Sequence, residues 1–320
     1  MSLRDNVWKV MNGSPLIHKV ISTVYYTIPG KLFGYQYDEF LTKRKFKRIF
    51  GYDLPLENPK TLNEKLQWIK LNIHDDSYTP YSDKFTAREK WSEFGEDGLI
   101  PLLYYTNDWR DITMDVIPDE PCIVKASSGS HYCYIVRDKK TLDINDLRNQ
   151  CRMWLDTKFY YKCHCYNYKG HDPKILIEKL ILDKNGRIPF DYKLEWINGE
   201  LQFVYCSVDR EGENYRCIYD PNWNRLNFEW VSPGTKPSAE GGDIQKPATF
   251  DKMLEIGGEI AKRFPYVRTD FYDVDGKLYY GEITFFHGGG FDIIRPKEYD
   301  LYYGEKLQLP YEKSYKLKKQ

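Results

Sequence analysis

The chain has 320 residues, enough for two or three subdomains around a substantial core. Its 47 basic and 47 acidic residues cancel, which argues against a general nucleic-acid-binding protein. The seven cysteines are odd in number and irregularly spaced, so we expect reduced thiols in the cytoplasm rather than a disulfide framework. Cys163-His164-Cys165 lacks a second ligand pair at finger-like spacing, which disfavours a zinc site.

The sequence of the N-terminal region predicts a helix. It predicts neither a signal peptide nor a membrane span. Arg4, Asp5 and Lys9 interrupt any apolar leader, and no run approaches the roughly 20 apolar residues that cross a bilayer. Residues 16–34 have the pattern of a helix with an apolar side, which we expect Pro29-Gly30 to end. The pattern favours a helix packed on the core over a helix lying on a membrane surface, and both interpretations stay open.

Further along the chain, helical patterns give way to strands near residue 99. Thr61-Leu-Asn-Glu64 resembles a capping box, and a further helix is predicted to begin near Ser82-Asp83. Predicted helices cover residues 36–50, 60–95, 141–160 and 249–264, and predicted strands cover residues 99–105, 122–125, 175–182, 190–196 and 201–208. Asn198-Gly199 predicts a tight hairpin turn. Residues 211–247 are weakly patterned and predict a long functional or mobile loop.

A loop of small residues follows the second predicted strand. Lys125 ends the strand and precedes Ala126-Ser127-Ser128-Gly129-Ser130-His131. Small residues let backbone N–H groups approach phosphate oxygens, and the lysine supplies a positive charge. The segment is not a Walker A loop, because Gly-Lys-Ser/Thr is absent. On its own, a Ser/Gly hairpin turn is the better interpretation.

Charged residues also lie on the next two strands. Glu178 precedes Lys179-Leu180, where a turning chain would offer backbone hydrogen bonds to a base and a carboxylate to a ribose. Lys193 shares a strand face with Asp191 and Glu195, because alternate residues of a strand face the same way. Lys193 therefore either approaches a polyphosphate or pairs with its neighbours.

The last predicted hairpin carries the most informative pattern. Arg268, Asp270, Glu282 and Thr284 all lie at even-numbered positions of two strand-like runs. A three-residue turn, Val274–Gly276, would place all four on one sheet face, whereas a two-residue turn would separate Asp270 from Glu282. We expect the three-residue turn. Carboxylate and hydroxyl oxygens suit Mg²⁺ and the arginine suits phosphate, although an ordinary solvated salt bridge fits the spacing as well.

The turn itself matches a short motif of sugar transferases. Asp273-Val274-Asp275 has the Asp-x-Asp form that holds a metal in many of them, but Asp-Gly is expected in a hairpin turn for backbone reasons. The sequence contains no Gly-x-Ser-x-Gly elbow. Cysteine–histidine catalysis is also poorly supported.

Taken in order, these segments resemble the TupA-like branch of the ATP-grasp superfamily, found among bacterial genes for cell-surface polysaccharide and teichuronopeptide synthesis. The matching segments are residues 62–70, 82–88, 100–103, 123–131, 177–180, 191–193, 267–272, 281–285, 288–290 and 300–304. Their shared order is more specific than any one of them.

The resemblance implies an α+β fold of the ATP-grasp type. Two α+β subdomains, 99–182 and 183–320, would clasp ATP beside a mainly helical region, 1–98. The residues that would contact the nucleotide are Lys125, Ser127, Ser128, Gly129, Glu178, Lys179, Leu180, Asp191 and Lys193. Asp270, Glu282 and Thr284 would hold Mg²⁺, with Thr284 standing where most members carry Asn. Arg268 would offset charge on the transferred phosphoryl group, and the loop 288–290 would lie near the acceptor.

ATP-grasp enzymes mostly activate a carboxylate as an acylphosphate and then join it to an amine or thiol. We therefore expect an ATP- and Mg²⁺-dependent carboxylate–amine ligase that modifies a bacterial surface polysaccharide or its precursor. The carboxylate belongs either to a uronic acid that receives an amino acid, or to an amino acid that is joined to an amino sugar. A glycosyltransferase, a sugar kinase on the same fold and a non-catalytic nucleotide-binding protein are the alternatives. The expected location is the cytoplasm, with contact at the inner face of the membrane left open.

Overall fold

The computed structural model describes residues 13–208, 215–233 and 243–310. The chain divides into two units. The first consists of the residues up to Phe40, Ser77–Thr86 and Ile100–Leu180. The second consists of Leu41–Asp76, Ala87–Leu99 and the residues from Ile181 onward. Residues 1–12, which include the charges used against a signal peptide, lie outside the described residues.

The described residues form helices and antiparallel strands, which confirms the predicted α+β class. The helices are α1 (Pro15–Ser22), α2 (Ile28–Phe50), α3 (Leu62–Asn72), α4 (Thr79–Ser82), α5 (Ala87–Ser92), α6 (Ile144–Asp156), α7 (Phe159–Cys163), α8 (Phe250–Ala261) and α9 (Lys297–Lys306). The strands are β1 (Leu102–Thr106), β2 (Cys122–Ala126), β3 (Cys133–Val136), β4 (Ile175–Lys179), β5 (Asp191–Ile197), β6 (Glu200–Val208), β7 (Tyr215–Tyr219), β8 (Glu229–Val231), β9 (Tyr266–Val274), β10 (Lys277–Thr284) and β11 (Ile293–Arg295).

Two predictions about the N-terminal helices are wrong. Pro29-Gly30 does not end a helix, because the chain stays helical through both residues; the non-helical backbone within α2 is at Gly34, with φ of 51° and ψ of −133°. A π-helical turn, Thr23–Thr27, connects α1 to α2. The apolar side of residues 16–34 is also not packed on the core: Leu16, Val20 and Leu32 are among the exposed apolar side chains.

The predicted capping box is confirmed, but the long helix behind it is not. Thr61 and Glu64 each accept the reciprocal hydrogen bonds of the box at the start of α3, which ends at Asn72. No helix begins at Ser82-Asp83. The Asp83 carboxylate accepts hydrogen bonds from the N–H groups of Phe85 and Thr86, which holds a turn, and α5 starts only at Ala87.

The first unit contains a four-stranded antiparallel sheet in the order β1–β4–β2–β3. Helix α6 buries Leu147, Cys151 and Trp154 in the same apolar cluster as Val124 and Ile177 of the sheet. Because β2 and β4 are neighbours, Lys125 and Glu178 lie on adjacent central strands.

The second unit contains a five-stranded antiparallel sheet in the order β10–β9–β5–β6–β7. Asn198 and Gly199 form the predicted tight turn between β5 and β6, with φ of 50° and 79°. One face of the sheet packs on α8, where Gly257 leaves room for Trp196 and Thr269. The opposite face carries the charged residues of β5, β9 and β10.

The segment 211–247 is not simply a loop. Its described part contains β7, which extends the five-stranded sheet, and β8, which pairs with β11. The rest of this segment, 211–214 and 234–242, lies outside the described residues. Across the part of the chain that the structure describes, no helix has the length and apolar character needed to cross a membrane.

Candidate functional site

The turn between β9 and β10 differs from the expected one. Val274 pairs with Lys277, so the turn contains only Asp275 and Gly276, with φ of 53° and 83°. The predicted three-residue turn is therefore wrong. Both positions lie in the left-handed region that Asp-Gly turns of this kind require.

A β-bulge compensates for the short turn. The register of the ladder shifts between Tyr280 and Ile283, so two residues of β10 lie opposite Asp270. One of these residues is Gly281, where a Cβ atom would lie 2.8 Å from the backbone oxygen of Asp270. Glycine therefore permits the close approach at which the bulge forms.

The bulge places all four polar residues of this hairpin on one side. Arg268 Nε and Nη2 donate to Asp270 Oδ1 and Oδ2, both at 2.6 Å. The same Nη2 lies 3.8 Å from Glu282 Oε2. Thr284 pairs with Arg268 across the ladder, and its buried hydroxyl has no hydrogen-bond partner in the described structure.

Lys193 joins this group from the neighbouring strand. It pairs with Asp270 in the β5–β9 ladder, and its Nζ lies 2.8 Å from Asp270 Oδ2. The same Nζ contacts the Asp191 carboxylate, which lies on the same face of β5. The structure thus brings Asp191, Lys193, Asp270 and Arg268 into one chain of opposite charges.

The electrostatics of this chain of charges favour its ionised form. Burial raises the pKa of Asp270, but the charges and hydrogen bonds of Arg268 and Lys193 outweigh it and lower the pKa to about 2. Burial disfavours the charge of Arg268, yet Asp270 and the nearby carboxylates raise its pKa well above the ordinary value. Both groups are therefore charged throughout the physiological range.

A buried network beside these charges was missed by the sequence reasoning. His287 Nδ1 lies 3.3 Å from Glu195 Oε1, and its Nε2 lies 3.0 Å from Asp292 Oδ2. Trp230 Nε1 donates to Asp292 Oδ2 at 3.1 Å, and the Tyr266 hydroxyl donates to Glu195 Oε2 at 2.6 Å. Glu195 was visible as the third member of the alternating β5 face, but the sequence did not indicate its histidine partner.

The same network holds one end of the glycine loop, 288–290. All three glycines have positive φ, from 56° to 73°. Gln67 Nε2, on α3, donates to the carbonyl oxygens of Gly289 and Gly290, and Lys70 Nζ lies 3.2 Å from the Gly289 oxygen. A helix far away in sequence therefore fixes the shape of this loop.

In the first unit, Lys125 and Glu178 form a pair across the central strands. Lys125 Nζ lies 2.5 Å from Glu178 Oε2, and both side chains are largely buried. Glu178 lies within β4 rather than at its end. The N–H groups of Lys179 and Leu180 donate to the carbonyl oxygens of Pro101 and Pro121, at 3.0 Å each, so they continue the pairing of β4 with its two neighbouring strands.

The Ser/Gly loop is held from three sides. The Ser127 hydroxyl donates to Asp83 Oδ2 at 2.6 Å, and the Ser128 hydroxyl lies 3.2 Å from His171 Nδ1. Lys84 Nζ donates to the Gly129 oxygen at 2.8 Å. Ser127 therefore shapes the loop, and its side chain is fully buried.

The Asp-x-Asp segment has structural partners. Asp273 accepts hydrogen bonds from the hydroxyl and N–H of Thr249 and from the N–H of Gly276. Asp275 Oδ2 accepts from the N–H of Lys184 at 3.1 Å. Both aspartates thus hold backbone at the hairpin turn, as the turn interpretation predicts.

The residues of the β9–β10 hairpin suit a hard cation. Among residues 13–208, 215–233 and 243–310, no group of three or more His, Cys, Asp or Glu side chains is arranged to hold a metal ion. The candidate set instead combines the carboxylates of Asp270 and Glu282 with the unpartnered hydroxyl of Thr284. Glu282 is one-third exposed, and a carboxylate such as Asp270 has about four lone-pair positions, so its bonds to Arg268 and Lys193 leave room for a metal. Oxygen ligands of this kind fit Mg²⁺.

These features, two antiparallel sheets with a lysine–glutamate pair on one and an Arg-x-Asp beside Glu-x-Thr on the other, agree with the comparison to known families. The family model described as TupA-like ATPgrasp matches residues 64–308, so the chain belongs to the TupA-like ATP-grasp family. ATP-grasp enzymes are ATP-dependent ligases that use Mg²⁺. No curated protein matches the chain in sequence.

Several solved structures are similar to the chain at a low level. N5-carboxyaminoimidazole synthetase from Staphylococcus aureus, complexed with ADP, is 15% identical with a TM-score of 0.39 over 68% of this chain and 50% of that chain. D-alanine–D-alanine ligase from Helicobacter pylori is 16% identical with a TM-score of 0.37 over 72% and 61%. The ATP-grasp ligase PsnB, complexed with a minimal precursor, Mg and ADP, is 13% identical with a TM-score of 0.35 over 70% and 58%. The chain thus spans half to three fifths of the length of these proteins, and the family match alone carries the assignment.

Proposed function

We propose that the chain is an ATP- and Mg²⁺-dependent carboxylate–amine ligase. The observation that carries the proposal is the buried array of Lys193, Asp270 and Arg268, with Glu282 beside it, on one sheet face of an ATP-grasp family member. Two fixed cations offset the charge of a phosphoryl group, and the carboxylates supply oxygen ligands to Mg²⁺. Bound Mg²⁺ would neutralise phosphate charge at Asp270, Glu282 and Thr284.

The proposed reaction has two steps. A substrate carboxylate oxygen attacks the γ-phosphorus of ATP, the bond to the ADP oxygen breaks, and an acylphosphate forms. The amine nitrogen then attacks the acyl carbon, the bond to phosphate breaks, and the amine releases a proton to solvent. Arg268 and Lys193 stabilise the negative charge that passes through both steps, so the protein needs no nucleophile of its own.

Residues of the first unit are assigned to the nucleotide. Lys125 is proposed to contact a phosphate and Glu178 the ribose, so that binding exchanges their mutual ion pair for contacts to ATP. Ser128 and Gly129 are proposed to present backbone N–H groups to phosphate, and Ser127 to hold the loop through Asp83. The backbone N–H groups of Lys179 and Leu180 already donate hydrogen bonds within the sheet. The backbone carbonyl oxygens of this segment are therefore proposed to accept hydrogen bonds from the base. Asp191 is proposed to orient Lys193.

The proposed substrates are a uronic acid or amino sugar of a bacterial surface polysaccharide, or its precursor, together with an amino acid. The TupA-like family supports this choice. The proposed compartment is the cytoplasm. The odd number and irregular spacing of the seven cysteines support this compartment, because they do not suit a complete disulfide framework.

Counting products tests the proposal. The purified protein is incubated with ATP, Mg²⁺, a panel of uronic acids and a panel of amino acids, and ADP, free phosphate and amide are measured. A ligase releases ADP and phosphate in step with amide, whereas a sugar kinase releases ADP without phosphate. Failure to bind ATP with Mg²⁺ in a thermal-shift measurement would overturn the proposal. Binding of a nucleotide sugar in preference to ATP would favour a glycosyltransferase.

A further inference from the structure

The N-terminal helices of the first unit expose apolar residues and bury polar ones, which is the reverse of an ordinary surface helix. Five apolar residues at four-residue steps, the apolar row, lie on the outward side of α1, the π-helical turn and the start of α2. They are Leu16, Val20, Val24, Ile28 and Leu32, and they are 63%, 61%, 53%, 45% and 71% exposed. At 1.5 Å per residue the row is about 24 Å long. Tyr25 and Phe33 lie next to it and are also exposed.

Polar and small residues occupy the inward side of the same helices. His18 is buried and its Nε2 lies 2.9 Å from Thr157 Oγ1. Ser22 is buried as well. Gly30 lies so close to the ring of Tyr161 that a Cβ atom would come within 2.3 Å of it. Tight packing on this side therefore fixes which side of the helices faces outward.

A second polar contact anchors the helices farther along. The buried carboxylate of Asp38 accepts from the Tyr160 hydroxyl at 2.6 Å and lies 2.6 Å from His164 Nδ1. Non-helical backbone at Gly34 separates this part of α2 from the apolar row, so the exposure of the row is imposed by the contacts of His18 and Gly30.

An apolar row of this length is unusual on a protein surface in water. Single exposed apolar residues are common, but contiguous patches mark sites of association. Burial of Val, Leu and Ile side chains away from water is the main favourable contribution to such association. Because the row runs along one side of a helix, it can contact a flat apolar surface along its whole length.

The charge of the surrounding segment identifies the occupant. Residues 13–33, the helical segment that ends at the break at Gly34, contain two basic residues, Lys19 and Lys31, and no acidic one, although the whole chain is neutral. Apolar residues beside basic ones on a helix are typical of helices that lie in the interface of an anionic bilayer, where exposed aromatic rings also favour the headgroup region.

We propose that α1, the π-helical turn and the start of α2 bind the surface of an anionic lipid bilayer, with the apolar row inserted among the lipids. Lys31 lies on the segment that carries the row and attracts anionic headgroups. Lys19 lies on the same segment and is paired with Asp156. The proposal is independent of the ligase activity, because it involves no residue assigned to ATP, Mg²⁺ or the acceptor.

Vesicle co-sedimentation of the full chain tests this surface. We expect binding to vesicles in which about one lipid in three is anionic, weaker binding to neutral vesicles, and a loss of binding as salt is raised. The triple variant Val20→Ser/Val24→Ser/Leu32→Ser should bind about tenfold more weakly or worse. Lys31→Glu should reduce the preference for anionic vesicles.

The matched control changes exposed apolar residues elsewhere. Leu301 and Tyr302 on α9 are 41% and 50% exposed, so Leu301→Ser/Tyr302→Ser should leave vesicle binding unchanged. Circular dichroism and thermal unfolding of each variant establish that it folds. Absence of vesicle binding overturns the proposal. If sedimentation velocity then shows a dimer that the triple variant abolishes, the row is an interface between two copies of the chain.

Discussion

Thr284 lies opposite Arg268 in the ladder between β9 and β10, although a two-residue turn joins these strands. The turn alone would place the polar residues of the two strands on opposite faces. The bulge at Gly281 reverses that outcome and brings Glu282 and Thr284 to the side of Arg268. The arrangement of the candidate metal ligands thus depends on one inserted residue in the ladder.

The bulge can be tested at its glycine. Gly281→Ala should destabilise the protein by about 1–3 kcal/mol, because the new Cβ atom would lie 2.8 Å from the backbone oxygen of Asp270. ATP turnover should fall with it, since the strand must shift. Gly258→Ala on α8 is the matched control: its Cβ atom meets Trp196 at 3.8 Å, and alanine should stabilise the helix by about 0.5–1 kcal/mol. Urea unfolding of both variants measures the difference, and equal stabilities would contradict the role given to the bulge.

Substitution of Glu282 tests the candidate metal-binding role without a large effect on folding. It is one-third exposed and lies 3.8 Å from Arg268, so Glu282→Gln should change the free energy of unfolding by less than about 1 kcal/mol. ATP turnover should nevertheless fall about a hundredfold or more, because an amide is a poor Mg²⁺ ligand. Turnover and the Mg²⁺ concentration for half-maximal activity provide the measurement. Wild-type turnover in this variant would remove Glu282 from the metal site.

Asp275 distinguishes a ligase from a metal-dependent sugar transferase. In the structure its carboxylate accepts the N–H of Lys184 and its backbone occupies the left-handed region, which asparagine tolerates. Asp275→Asn should therefore keep ATP turnover within about twofold of wild type. A loss of activity as large as that of Glu282→Gln would instead support metal binding by the Asp-x-Asp segment.

Gln67 tests the support of the glycine loop. Gln67→Met keeps the side-chain volume but removes the donor to the carbonyl oxygens of Gly289 and Gly290, so unfolding should become easier by about 1–3 kcal/mol. If the loop lies near the acceptor, KM for the acceptor should rise more than KM for ATP. The exposed Gln36 provides the control, since Gln36→Met should alter neither value. Unchanged kinetics in both variants would show that the loop shape is maintained without Gln67.

Protonation of Asp270 at low pH should lower the free energy of unfolding. Burial raises the pKa of Asp270, but Arg268 and Lys193 hold it at about 2, below the ordinary 3.8. Because the folded pKa is depressed, the stabilisation is complete above pH 4 and is lost as the pH falls from about 4 to about 2, at a cost of roughly 2 kcal/mol.

Urea unfolding at several pH values, in wild type and Asp270→Asn, measures this loss. The variant should be less stable at neutral pH and should lose less stability on acidification. Asp108→Asn is the control: hydrogen bonds from Arg110 lower its pKa to about 2 as well, but its side chain is 30% exposed, so solvent screens the pair. A steeper acid loss in Asp270→Asn than in wild type would contradict the assignment.

Several elements could be predicted from sequence because their causes are local. The capping box at Thr61, the Asn198-Gly199 turn and the alternating strands β5 and β9 each depend on residues within a few positions of one another. The same locality explains why Lys193 and Asp270 were identified without knowing that their strands are neighbours. Pairing of the two strands is a long-range event that places Lys193 Nζ against Asp270.

Features that depend on distant contacts were not predicted. The bulge at Gly281 has no local sequence signal stronger than a glycine within a strand. His287 meets Glu195 only when the last loop folds back over β5. The apolar side of α1 was expected to be buried, but contacts of His18 and Gly30 with the region around Thr157 and Tyr161 turn it outward.

The interleaving of the two units in sequence has a consequence for biosynthesis. Once Leu180 has left the ribosome, every segment of the first unit is present, and it can fold while translation continues. The second unit must wait, because its early segments, Leu41–Asp76 and Ala87–Leu99, find their strands only among residues from Ile181 onward. Until β5 and β6 emerge, the apolar residues Leu62, Leu66 and Ile69 of α3, which are buried against those strands in the folded protein, stay exposed to solvent.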